Sequence, residues 1–269
     1  MLPVKRLTAA KTRLRGALAG VPHDRLVLAM AMDTVAAVRA CPDVQATLVV
    51  TRDPVVSRAI EKLGAVPVPD KPDADLNAAV RYGATRTTAD VAALTADLPA
   101  LRPAELSAAL RAVPASRAFV SDAAGTGTTL LAARGGAALD PHFGPGSAGA
   151  HERSGAVALT GRWPSLRRDV DTPDDLVAAA QLGLGRHTAE CRYASALAAG
   201  YRDVMQATVS SYDAESRSGT MLLDDGTQVE FGREAFDAGG LRLVRVGQRL
   251  KVEHDGSGAV VRVTLLTLP

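Results

Sequence analysis

The stretch Val91-Ala92-Ala93-Leu94-Thr95-Ala96-Asp97-Leu98-Pro99 decides the fold. Four apolar residues read as a short buried strand, and an aspartate follows within one turn of its end. Residues 74–86 before it read as a helix, and Pro103 opens another that runs to about Val113. The alternation continues outward in both directions. Leu2-Pro3-Val4 reads as the end of a strand, and residues 24–40 place Val27, Met30, Ala31, Thr34 and Val38 on one helical stripe. Ala46 to Thr51 and Val66 to Val68 read as strands, with a helix over 55–63 between them that Gly64 stops. Phe119-Val120 and Thr129 to Ala132 supply two more strands. Strands alternating with helices of this length predict an α/β fold with a mainly parallel sheet. Ligands of such sheets bind beyond the carboxyl ends of the strands, where strand order reverses.

The texture changes near residue 183. Gly183 and Gly185 end a helix, a short helical stretch follows from Ala189 to Ala199, and from about 205 short strands are separated by turn signals such as Asp224-Asp225-Gly226 and Asp255-Gly256. Five strands in some 65 residues predict a small β-barrel. The expected organisation is a domain over 1–188, a linker with a short helix over 189–204, and a β-barrel over 205–269. With 269 residues, 47% of them hydrophobic, the chain has enough apolar material for a packed core. No apolar run has the length of a membrane span or of a secretory h-region. Residues 1–15 carry five basic residues and no acid, as a transit peptide would, but the strand reading of residues 2–4 is preferred. Cys41 and Cys191 are too few and too distant for a disulfide framework, which fits a cytoplasmic protein. The net charge of +2 gives little bulk attraction to nucleic acid.

Four segments carry candidate chemistry. In Pro3 to Leu14, Lys5 and Arg6 fall at the ligand edge of the sheet, with Lys11 and Arg13 at an expected helix start; phosphate binding uses such charge, although a solvated basic face has the same composition. Asp97 at a strand's carboxyl end is placed to hold Mg²⁺ with substrate phosphates, or to cap a turn. In Asp169-Val170-Asp171-Thr172-Pro173-Asp174-Asp175, Thr172 as N-cap and Pro173 at N1 account for the helix start. Asp169 and Asp171 are left over, share one face of an extended stretch, and either could meet Asp97 across a metal. Gly125-Thr126-Gly127-Thr128 and Phe143-Gly144-Pro145-Gly146-Ser147 are loops whose amides and hydroxyls suit a substrate with two anionic groups. His142 and His151 flank the second loop and read as structural. Asn77 is either a helix cap or a nucleoside contact. No Ser/His/Asp order, HExxH or Walker A motif is present, so the chemistry reads as metal-assisted phosphoryl transfer.

Taken in order, PVKRLTAAKTRL, ADLPAL, DAAGTGTTLL, PHFGPGSAGAH, RSGAVALTG and DVDTPDDL resemble the 2-phospho-L-lactate/phosphoenolpyruvate guanylyltransferase family of coenzyme F-420 biosynthesis, over residues 1 to about 188. The resemblance implies a three-layer α/β/α fold of the nucleotide-diphospho-sugar transferase type. It implies that the phosphate of a small phosphorylated carboxylic acid attacks the α-phosphorus of GTP and that pyrophosphate leaves. Phosphoenolpyruvate is the expected acid, with 2-phospho-L-lactate and 3-phosphoglycerate as alternatives. By motif position, Asp97 and Asp169 would hold Mg²⁺ and act with Lys5 in catalysis. Thr128, Gly144 and Ser147 would bind the acid, and Lys5, Lys11 and Asn77 the nucleotide. A downstream transferase that takes the guanylylated product is the expected protein partner. Two departures stand out: the first strand begins almost at Met1, where members of the family usually carry several more residues, and Ala96 stands where a glycine is common.

The C-terminal segment resembles a cold-shock-like OB barrel, a class that binds single strands by stacking bases on aromatics. Its second strand, Ser218-Gly219-Thr220-Met221-Leu222, has no aromatic; Phe231 and Phe236 lie near the third. Residues 205–269 hold seven Lys/Arg against nine Asp/Glu. A lapsed or repurposed module is therefore expected, and a nucleic-acid-binding protein with an inactive transferase domain is the rival reading.

Overall fold

The computed structural model describes residues 1–69, 76–85, 90–114, 116–200, 205–223, 226–254 and 259–266. The turns expected at Asp224-Asp225 and Asp255-Gly256, both ends of the helix expected over 74–86, and the end of the expected linker lie outside the described residues. The chain divides into two compact units, Met1–Tyr193 and Ala194–Pro269.

In the first unit, β1 (Leu2–Val4), β2 (Leu48–Thr51) and β3 (Val66–Pro69) pair in parallel. A second set, β4 (Val91–Leu94), β5 (Arg117–Ser121), β6 (Thr128–Ala133) and β7 (Val157–Ala158), runs in the order β4-β6-β5-β7. Met1 N donates to Ala92 O at 2.6 Å and Leu94 N to Met1 O at 3.0 Å, which sets β1 beside β4. The resulting order is β3-β2-β1-β4-β6-β5-β7. It reverses between β1 and β4, so the ligand crevice expected of such a sheet opens beyond those two strands. β6 is antiparallel to both its neighbours, and all six of its residues are buried. An unbroken run of buried side chains is what a central strand covered on both faces requires.

Alternation along each strand serves two cores. Val49, Leu94, Val120 and Leu130 point into one, shared with α1 (His23–Arg39), α2 (Pro54–Glu61), α4 (Pro103–Arg111), α6 (Pro164–Arg167) and α7 (Pro173–Leu182). Their neighbours Val50, Ala93, Phe119 and Leu131 point to the opposite face, against α3 (Leu76–Ala84) and α5 (Ser147–Arg153). This is a three-layer α/β/α sandwich, built by the period-two geometry of its strands.

Several local features differ from the sequence reading, among them helices α5 and α6, which it does not include. The basic segment does not open an α-helix: Lys11 sits in left-handed conformation at φ 52°, and only a 3-10 turn over Thr12–Leu14 follows. Gly16 and Gly20, both at positive φ, keep the chain turning until Pro22 leads into α1. Strand β7, two residues long, is too short to leave a periodic signal. The helix expected over 189–199 extends from Arg186 to Gly200 (α8).

The second unit is a five-stranded antiparallel sheet in the order β10-β9-β8-β11-β12, formed by β8 (Met205–Asp213), β9 (Ser218–Leu223), β10 (Gln228–Phe231), β11 (Arg249–His254) and β12 (Val260–Leu265). Helix α9 (Arg233–Ala238) follows β10. Phe231 and Phe236 are buried and stack with Tyr212, their ring centroids 5.3 to 6.4 Å apart. The two phenylalanines considered as a base-stacking platform are core residues.

Candidate active site

A cavity of about 500 Å³ opens beyond β1 and β4, at the reversal point. Lys5, Lys11, Asp97, Asp171, Leu76 and Phe143 are among its lining residues. Asp97 lies three residues past β4, in a turn held from below by α1. The hydroxyl of Thr34, fully buried on that helix, accepts from Leu98 N–H at 3.0 Å and donates to Met30 O at 2.9 Å. Asp97 O in turn accepts from Val170 N–H at 3.1 Å. That bond brings the 169–171 segment, 72 positions downstream, against the turn.

The charges there are tightly coupled. The Lys11 ammonium bridges the carboxylates of Asp97 and Asp171. Burial works to lower the Lys11 pKa, but the two aspartates outweigh it and hold the ammonium above its usual range. Asp169 is half-buried and makes no ion pair among the described residues, although the Lys11 charge acts on it from a distance and partly offsets the shift. Burial first, then the charges of Asp97 and Asp171, push its carboxyl up to about 7. Asp97 Oδ1 is buried and has no hydrogen-bond partner among the described residues. An orphaned carboxylate oxygen beside a carboxyl that holds its proton near neutrality is a surplus of negative charge aimed at one place. A hard divalent cation fits it. Among the described residues no three His, Cys, Asp or Glu side chains are grouped to hold a metal, so two carboxylates would be completed by water and phosphate oxygens, as Mg²⁺ prefers. Of the two candidates beside Asp97, Asp171 lines the cavity and is engaged by Lys11, as Asp97 is, whereas Asp169 is half-buried and is not among the lining residues.

The 125–128 loop corrects an expectation. Its amides do not form an open anion nest, because Asp122 fills it: Thr126 N–H and Gly127 N–H donate to the Asp122 carboxylate at 2.9 and 2.8 Å, and Gly125 N–H to Asp122 O at 3.1 Å. An aspartate just ahead of a glycine-rich turn is a known turn former, and that signal was readable in the sequence. Asp122 also contributes to the raised pKa of Asp169, so this loop borders the acidic cluster.

The remaining residues gather on a second arm around His151, which is fully buried. Thr128 Oγ1 lies 2.9 Å from His151 Nδ1, and His142 N–H donates to His151 Nε2 at 2.9 Å. Ser147 opens α5, next to Gly146 at φ 70° and close to Gly144 at φ 144°; added Cβ atoms there would meet nothing within 4 Å. The loop backbone at these two glycines is therefore open to a ligand. Asn77 is neither a cap nor a free amide. Its Nδ2 donates to Phe143 O at 3.0 Å and its Oδ1 accepts from Phe143 N–H at 2.6 Å, which pins the loop at the cavity edge.

Acids and lysines gathered beyond the point where an α/β/α sheet reverses its strand order form the setting in which such sheets bind anionic ligands. A solved structure from Desulfovibrio desulfuricans G20, assigned to the nucleotide-diphospho-sugar transferases, matches the fold with a TM-score of 0.54 at 15% identity, over 74% of this chain and 96% of that one. The family model described as guanylyl transferase CofC like matches residues 1–193, and the chain belongs to that family. Phosphoenolpyruvate guanylyltransferase from Salinispora arenicola is 60% identical over 193 residues, covering 70% of this chain and 90% of that protein. The proteins of the same name from Geodermatophilus obscurus and Streptomyces scabiei are 57% and 52% identical, over 91% and 93% of their lengths.

Proposed function

We propose that this chain joins GTP to phosphoenolpyruvate and releases pyrophosphate, as a step in making coenzyme F-420. The observation that carries the reading is the Asp97–Asp169–Lys11 cluster at the strand-reversal point, in a family whose similar members carry that name. A phosphate oxygen of the acid attacks the α-phosphorus of GTP, and the bond to the pyrophosphate oxygen breaks. Both reactants are anions, so the chief barrier is bringing them together. Lys5 and Lys11 would neutralise nucleotide phosphates, while Thr128 and the backbone at Gly144 and Ser147 would orient the acid. Asp97 and Asp169 would hold Mg²⁺, which supplies Lewis acidity and stabilises the leaving pyrophosphate. Lys11 has to release its two aspartates to reach the nucleotide, and the cation would take over their charge.

The same loop chemistry admits 2-phospho-L-lactate and 3-phosphoglycerate, and competition among the three acids ranks them. Pyrophosphate release from GTP, Mg²⁺ and phosphoenolpyruvate is the direct assay; coupling to the next transferase and its deazaflavin acceptor guards against a labile product. Asp97→Asn should reduce turnover by at least about a hundredfold with the fold intact by circular dichroism. Normal turnover in that variant would remove the metal assignment.

A further inference from the structure

Three of the four amides in the 125–128 loop region are turned inward or engaged, and Thr128 contributes its side chain instead. The direction of that hydroxyl is set by His151. Because His151 Nε2 accepts from the His142 amide, it carries no proton, and the neutral ring must bear its hydrogen on Nδ1. Nδ1–H then faces Thr128 Oγ1, 2.9 Å away, with the Ser147 carbonyl as a second acceptor for the same hydrogen. A hydroxyl whose lone pair is taken in this way has its own hydrogen free for another acceptor. The ring is enclosed by Phe119, Phe143 and His142, whose centroids lie 5.2 to 5.9 Å from it, so it can neither rotate nor reach water. One side chain thus touches both parts of the arm: Thr128 on β6, and the backbone that leads through Phe143 to Gly144.

We propose that His151 is the positioning residue of the acid-binding arm: as the Nδ1–H tautomer it holds Thr128 Oγ1 as an acceptor and the 142–147 loop by the His142 amide, so that the Thr128 hydroxyl hydrogen points to an anionic oxygen of the bound acid. The proposal rests on the reading of Thr128 as an acid contact. It also explains why a histidine sits where an aliphatic residue would fill the core equally well, since only a ring with one donor and one acceptor edge satisfies both neighbours.

The test is a double-mutant cycle in the full chain with phosphoenolpyruvate and GTP as probes. Thr128→Val should raise KM for phosphoenolpyruvate about tenfold while KM for GTP moves by no more than about twofold. His151→Gln can accept from the His142 amide through its Oε1, but its NH2 donor sits at the tip of the side chain and not at the Nδ1 position beside Thr128, so it should raise the same KM by a similar factor. The double variant should be no worse than either single one, because the histidine acts through the hydroxyl. If the two factors multiply, or if His151→Gln leaves KM for phosphoenolpyruvate unchanged while Thr128→Val raises it, the proposal falls and the acid site stands. If Thr128→Val itself changes nothing, the acid site is misassigned and the proposal falls with it. Should His151→Gln not fold, nitrogen NMR of the unsubstituted His151 ring decides. The Nδ1–H tautomer is expected, with an Nδ1 resonance that shifts on adding phosphoenolpyruvate to the parent chain but not to Thr128→Val. An Nε2–H tautomer, or a ring blind to the acid, overturns it.

Discussion

Asp169 and His151 are both titratable groups kept neutral by burial, and they answer to different needs. Asp169 holds its proton up to about pH 7 first because it is buried and then because Asp97 and Asp171 add like charge, which Lys11 offsets only in part; a bound cation would relieve that tension. His151 is held neutral for the opposite end of the scale. Burial first, then the nearby charges of His142 and Arg117, pull it down to about 4 from an ordinary 6.5, with the Asp140 charge and a hydrogen bond to the Ser147 backbone acting the other way. Between those two values the unfolded chain takes up a proton that the folded ring refuses. Folding stability should therefore fall as pH drops from about 6.5 to about 4, by on the order of 3 kcal/mol, and should gain nothing from this group above 6.5. Denaturant titrations of the parent and His151→Gln across that range read the difference directly. Parallel pH profiles for the two proteins would show that the ring is not the buried neutral group described.

At the scale of elements, the site is held by caps that serve two structures at once. Thr172 and Asp175 form a reciprocal capping box at the start of α7, and Asp175 also accepts from Asp171 N–H at 3.3 Å, so the cap fixes the end of the acidic segment. Asp53 caps α2 through Val55 N–H at 2.9 Å and also accepts from Leu7 N–H at 3.1 Å, anchoring the basic loop. Asp33, buried on α1, accepts from His187 N–H and Thr188 N–H at 2.9 and 2.8 Å and so starts α8. Gly185 lies against it so closely that an added Cβ would come within 2.4 Å of its carboxyl carbon. Asp33→Ala strands two amides, one of them buried, and should cost about 2–3 kcal/mol, measured as a lower denaturation midpoint with an unchanged slope. Unchanged stability would mean that water replaces the carboxylate and that this helix start is not held from α1.

For the whole molecule, the balance of units follows from the relatives. Some 193 residues of this chain span 90% of the Salinispora protein's length, so the first unit corresponds to nearly all of it. A fragment of residues 1–200 should accordingly turn over GTP and phosphoenolpyruvate within about twofold of the full chain. A folded but inactive fragment would assign part of the site to the second unit. That unit is acidic and buries Phe231 and Phe236, a poor basis for gripping a single strand. No described helix is long and apolar enough to cross a membrane.

Much of the fold was legible because strands of about four apolar residues and helices of 8 to 17 carry their periods locally. The cap at Thr172 was readable for the same reason, since all its partners lie within three residues. Strand β7 and the antiparallel direction of β6 were not, because two residues have no period and strand direction leaves no mark on composition. The sequence by itself determined the alternating sandwich, the second β unit and the identity of the acids, bases and glycines available for chemistry. Only the tertiary structure decided their use: that Asp122 fills the glycine loop, that Lys11 lies across Asp97 and Asp171 while Asp169 makes no ion pair among the described residues, and that Asn77 and His151 support a loop. Those outcomes depend on which charges and donors end up within a few ångströms of one another across separations of up to 160 positions, and Coulomb and hydrogen-bond energies are set by that distance alone.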